Sequence, residues 1–126
     1  MDIRVGVDLV EIDRMQHAIE TNERFLQRVL GDREREYYEA HGMRAESIAA
    51  AFAAKEAFSK AMGTGISGFS LGDVQVNHDE LGCPHYEFSG RAASLVAEAG
   101  LQFSLSLTHT KTTAAAVAVA FKEDSH

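Results

Sequence analysis

The chain has 126 residues and a hydrophobic content of 45%, which is the size of one domain, residues 1–126, with enough apolar material to bury a core. A formal net charge of −7 argues against nonspecific binding to nucleic acid, whose phosphate backbone is engaged mainly by Lys and Arg. No apolar run approaches the roughly 20 residues of a membrane helix, and the opening MDIRVGVDLV lacks a basic region followed by an apolar stretch, so a soluble, cytoplasmic chain is expected.

In chain order, Ile3, Val5, Val7 and Leu9 alternate with Arg4, Gly6 and Asp8, the period-two signature of a strand with one buried face, from which Asp8 would point away. From Glu11 to about Glu39 the pattern turns helical, with Ile12, Met15 and Ile19, then Phe25, Leu26, Val29 and Leu30, interrupted near Thr21-Asn22 and Gly31-Asp32. Short helices are expected there. Five arginines, Arg14, Arg24, Arg28, Arg33 and Arg35, are interleaved with acids, which suits either a salt-bridged surface or a basic patch for an acidic partner. Ala45 to Met62 gives the strongest helix signal: alanine-rich, free of Gly and Pro, and followed by Gly63 as a C-terminal cap.

DVQVNH and HYEFSG are expected to be strands flanking the turn Asp79-Glu80-Leu81-Gly82-Cys83-Pro84. Ser89 to Gly100 reads as a short helix, FSLSLTHT as an alternating strand, and TAAAVAVAF as a nearly continuous apolar strand that is central or interfacial. The order predicts an α+β domain with a mostly antiparallel sheet packed on the long helix. The single Cys83 forms no internal disulfide, and no clustered Cys/His pattern suggests zinc, so any metal should be a hard one.

Two motifs compete for chemistry. Gly63, Gly65 and Gly68 spell G-x-G-x-x-G, but the dinucleotide fingerprint follows a strand and opens a helix; here it follows a helix, at the wrong end of the dipole. Capping and a turn account for it, and the loop could still offer backbone groups to a ligand. On the long helix, at about 100° per residue, Ile48, Phe52, Glu56 and Ser59 share one face, with Lys60 one step around. A carboxylate on an apolar stripe is costly unless it is paired or metal-bound. One reading is an i,i+4 pair of Glu56 with Lys60. The other adds Asp8, itself alternatively a solvent-facing strand end or helix cap, as the second carboxylate of a magnesium site completed by substrate phosphates. Lys60 would then neutralise phosphate charge.

The segments VGVDLVEIDR, FAAKEAFSKAMGTGI, DELGCPHYEFSG and SLSLTHT, in this order over nearly the whole chain, resemble the holo-acyl-carrier-protein synthases, the small trimeric class of phosphopantetheinyl transferases. The resemblance implies transfer of 4′-phosphopantetheine from coenzyme A to a serine of an apo acyl carrier protein, with release of adenosine 3′,5′-bisphosphate, a step of fatty-acid or polyketide synthesis. It implies magnesium on Asp8 and Glu56, Lys60 at the pyrophosphate, and Gly65 and His109 at the coenzyme A site. Glu56 or a metal-bound water is the implied proton acceptor, with Glu34 and Asp32 as weaker options. A homotrimer with active sites between subunits is implied, as is docking of the acidic carrier on basic residues of the first helix, here Arg14, Arg24 and Arg28 with Phe25 between them.

Some positions depart from that pattern: Ala51 where many relatives have an arginine, Cys83 where a turn lysine is common, and Ala18 and Thr21 where some relatives place docking side chains. Arg44 or Lys111 could supply the phosphate contact that Ala51 lacks. The alternatives are a non-catalytic coenzyme A or carrier-protein binding module of the same fold, and a magnesium-dependent diphosphate hydrolase.

Overall fold

The computed structural model describes residues 2–63 and 68–122. Among the described residues, five strands and five α-helices follow one another as β1 (Asp2–Glu11), α1 (Ile12–Thr21), α2 (Phe25–Val29), α3 (Asp32–Ala40), α4 (Ala45–Met62), β2 (Val74–His78), β3 (Pro84–Phe88), α5 (Gly90–Ala99), β4 (Gln102–His109) and β5 (Thr113–Lys122), with a 3₁₀ turn at Leu71–Asp73. The strands are antiparallel and form a three-stranded sheet, β1-β5-β4, and a separate hairpin, β2-β3. This is the expected α+β arrangement, with α4 packed on β1 and β5 and against the hairpin.

The predicted bounds of α4 hold. Gly63 ends it in the left-handed region at φ 77°, and the Gly63 amide donates to the Ser59 carbonyl at 3.0 Å. Alanine determines how closely the helix lies on the sheet: Ala49, Ala53 and Ala57 of α4 and Ala114, Ala116, Ala118 and Ala120 of β5 are all fully buried. Gly6 completes the contact from β1, since a Cβ there would lie 1.9 Å from the Ala57 carbonyl oxygen. Bulk is supplied to one side by Phe58, whose ring lies 5.1 to 5.8 Å from those of Phe69, Tyr86, Phe88 and Phe103.

One expectation is reversed. The apolar stripe of β1 is uncovered within the chain, with Ile3, Val5, Val7 and Leu9 each about half exposed or more and Val117 of β5 beside them. The face that packs on α4 is the one carrying Gly6, Asp8 and Val10. Alternation located the strand correctly but could not say which face meets the helix, because alanines and a glycine make the tighter contact.

Candidate functional site

Asp8 and Glu56 come from different elements and line one cleft of about 570 Å³, together with Leu9, Glu11, Arg14, Met15, Ala18, Phe25 and Phe52. The strand delivers Asp8 because Gly6, two residues earlier on the same face, lets β1 lie against the backbone of α4. The helix delivers Glu56 at the edge of its buried surface, while Lys55, Ala57 and Phe58 turn inward.

Lys60 does not serve as the i,i+4 partner of Glu56. Its Nζ donates to Asp8 Oδ1 at 3.0 Å and to the Val7 carbonyl at 3.0 Å, bridging helix to strand. Partial burial pushes the Glu56 carboxyl above its usual range, the charge of Asp8 adds to this, and Lys60 opposes it. A carboxylate whose proton affinity is raised by burial and by a neighbouring negative charge is a setting that a divalent cation relieves. Among the described residues no three His, Cys, Asp or Glu side chains converge, so the protein offers two oxygen donors and leaves positions free for phosphate oxygens and water. That donor set fits magnesium.

His109 is exposed at the end of β4 and lines a second cleft of about 430 Å³ with Arg44, Ser47, His41, His78 and Tyr37. Within one chain the structure therefore does not bring His109 to Asp8 and Glu56. Gly65 lies outside the described residues. The arginines divide by environment: Arg33 pairs with Glu87 at 2.8 Å and Arg35 with Glu39 at 3.0 Å, whereas Arg14, Arg24 and Arg28 make no ion pair among the described residues. Arg14 lies on α1 and lines the first cleft with Phe25, while Arg24 caps α2 and Arg28 lies on it, so the basic residues are not confined to the first helix. The Phe25 and Phe52 rings, 6.2 Å apart, wall the cleft beside them.

Two groups escaped the sequence reading. Lys55 and Glu34 are both fully buried and paired at 2.7 Å. Lys55 Nζ also donates to the Leu71 carbonyl at 2.9 Å and the Val74 carbonyl at 2.6 Å, and Glu34 accepts from the amides of Gly31 at 2.9 Å and Val76 at 2.8 Å. Burial pushes Glu34 up and Lys55 down, and each charge opposes the shift of the other. Glu34 is therefore excluded as a base in the cleft. The only hint in the sequence is that Lys55 follows Ala53 and Ala54 in the alanine-rich part of α4. The second group is a ring stack, with Tyr37 sandwiched between His41 at 4.1 Å and His78 at 4.4 Å. Nothing in the spacing of those three residues announces it.

Residues 4–120 match the 4′-phosphopantetheinyl transferase superfamily. The chain is 41% identical to a holo-[acyl-carrier-protein] synthase of Thermoanaerobacter sp. (strain X514), across 99% of this chain and 94% of that one. It superposes on the holo-[acyl-carrier-protein] synthase of Neisseria meningitidis with a TM-score of 0.86 at 32% identity, covering 94% and 98% of the two chains. It also superposes on the Bacillus anthracis holo-(acyl-carrier-protein) synthase in complex with CoA (3′,5′-ADP), with a TM-score of 0.78 at 32% identity over 95% and 96%.

Proposed function

The chain belongs to the 4′-phosphopantetheinyl transferase superfamily, as an enzyme of its holo-[acyl-carrier-protein] synthase group, and from that membership we propose that it moves 4′-phosphopantetheine from coenzyme A to a serine hydroxyl of an apo acyl carrier protein. The observation that carries the reaction is the meeting of Asp8 and Glu56 on one cleft, with Lys60 bridging the two elements that bear them.

Magnesium, held by Asp8 and Glu56, would supply charge neutralisation at the pyrophosphate of coenzyme A. Lys60 stabilises the same developing negative charge from the helix side. The carrier serine oxygen forms a bond to the phosphorus that bears pantetheine, the P–O bond to the adenosine half breaks, and adenosine 3′,5′-bisphosphate leaves with the electron pair. Glu56, which lines the cleft beside the site of transfer, is the group of this chain placed to accept the serine proton. Catalysis rests mostly on positioning and electrostatics, as in other phosphoryl transfers.

Arg14, Arg24 and Arg28, with Phe25, form the docking face for an acidic carrier at the mouth of the cleft; such contacts govern association rate more than chemistry. The chain acts as a single-domain cytoplasmic enzyme; no described helix is long and apolar enough to cross a membrane. The uncovered stripe Ile3, Val5, Val7 and Leu9 supports a homotrimer. In it, the cleft of one copy, with Asp8 and Glu56, meets the cleft of the next, with His109 and Arg44, where the nucleotide of coenzyme A would lie. Gly65 belongs to the same coenzyme A site.

The test is the intact mass of an apo acyl carrier protein after incubation with the enzyme, coenzyme A and magnesium. A gain of one phosphopantetheine that disappears in EDTA is expected. An unchanged carrier, with coenzyme A still bound in a separate titration, would refute the transferase reading.

A further inference from the structure

Lys55 stands immediately before Glu56 on α4, and its ammonium spends all three protons on fixed acceptors: Glu34 Oε1, the Leu71 carbonyl and the Val74 carbonyl. Glu34 in turn holds the amides of Gly31 and Val76. The Glu34 amide donates to Gln75 Oε1 at 3.0 Å, adding a second tie between α3 and β2. Four segments therefore converge on one pair: the start of α3, the middle of α4, the 3₁₀ turn and β2.

Both side chains are fully buried, where charges lose their hydration, and an apolar pair of similar volume often gives equal or greater stability. What an apolar pair cannot give is direction. Three ammonium bonds to three separate segments fix the rotation of α4 about its axis and the place where the chain returns after it.

We propose that Glu34 and Lys55 are positioning residues for the transfer step, a buried clamp that sets the angle at which α4 presents Glu56 and anchors the chain that returns after the glycine-rich loop. This rests on the proposed function for Glu56. The required precision is small in absolute terms: with side chains about 6 Å from a helix axis, a rotation of about 10° carries a carboxylate about 1 Å. Misplacement of that size costs about 10²-fold in rate, and loss of a residue that orients a metal ligand typically costs about 10- to 100-fold in metal affinity or activity.

The experiment compares wild type with Glu34→Leu/Lys55→Met, which removes the charges but retains volume, and with Glu34→Asp, which keeps the charge but shortens its reach. Thermal melting, kcat and KM for the carrier are measured, together with Mn²⁺ binding in the presence of coenzyme A by electron paramagnetic resonance. The expected result is a double variant that melts close to wild type, with kcat and Mn²⁺ affinity each reduced about tenfold or more and carrier KM unchanged; Glu34→Asp shows the same split to a smaller degree. If the double variant does not fold, Glu34→Asp decides alone. A folded variant with wild-type kcat and Mn²⁺ affinity overturns the proposal, and so does loss of fold in both, since the pair would then serve the fold as a whole. Failure of the wild type itself to modify the carrier counts against the transferase reading, while Mn²⁺ binding by the variants still reports on the clamp.

Discussion

Replacing Gly6 with alanine tests how the fold sets the site. The added Cβ would lie 1.9 Å from the Ala57 carbonyl oxygen, 2.8 Å from its carbon and 2.9 Å from the Ala61 amide nitrogen, all backbone atoms of α4 that no rotamer change can remove. Going from 1.9 Å to the 3.4 Å at which ordinary contact begins separates strand and helix by about 1.5 Å. Overpacking of this kind costs about 1–3 kcal/mol, from which the lower chain entropy of alanine recovers about 0.5–1 kcal/mol. For a domain of this size each kcal/mol lowers Tm by roughly 3–6 °C, so the net cost, up to about 2.5 kcal/mol, lowers Tm by up to roughly 15 °C, with about 6 °C at the middle of these ranges. The functional effect should be larger, because Asp8 lies on the strand that moves while Glu56 and Lys60 lie on the helix that does not. The 3.0 Å contact between Lys60 and Asp8 would open beyond hydrogen-bonding range. Transfer should drop about 10²-fold, measured by carrier mass shift and scored against Tm by calorimetry. A Gly6→Ala variant with wild-type Tm and transfer rate would show that strand and helix do not need this contact.

Three further outcomes follow from the same geometry. Glu56→Ala should lower transfer by at least about 10²-fold and leave melting close to wild type, because the side chain is only partly buried; retained activity would refute its role at the metal. Arg24→Glu should raise the carrier KM and weaken its salt dependence with the coenzyme A KM unchanged, and an unmoved carrier KM would remove Arg24 from the docking face. His78 gives a pH effect of defined sign: burial, then the neighbouring His85 and His41, push its pKa below 6.5, with Asp79 opposing. Its neutral form is favoured in the folded state, so this contribution to stability is complete above the unfolded pKa and is lost as pH falls below about 6.5. Melting from pH 7.5 to 5.5 should show a decline that is shallower in His78→Gln, and equal slopes would contradict the assignment.

Much of this was legible in the residues. The alanine run with Gly63 after it marks α4, and the alternation of β1 marks a strand, because both patterns are local. The face of β1 was not legible, since the small residues that meet the helix score as weakly apolar and the larger ones stand exposed within the chain. Asp8 and Glu56 each stand out as a carboxylate beside apolar neighbours, and their likeness to a family motif joined them. Glu34 and Lys55 lie 21 residues apart, and each resembles an ordinary solvated helix charge. Their pairing depends on how β2 meets both α3 and α4, which no periodicity records. His109 fitted its motif, yet its distance from the carboxylate pair within one chain is a tertiary fact.

The alanine surface between α4 and β5 has a thermal consequence. Alanine has no χ torsion beyond its methyl rotor, so this contact has no rotamers to exchange as temperature rises. Cores of leucine and methionine adjust by hopping between side-chain states, and their neighbouring backbones drift with them. Here the spacing of the two elements is a matter of backbone against backbone. The gap between Asp8, on the strand paired with β5, and Glu56 on α4 should therefore hold nearly constant until the domain melts, with no gradual loosening before it.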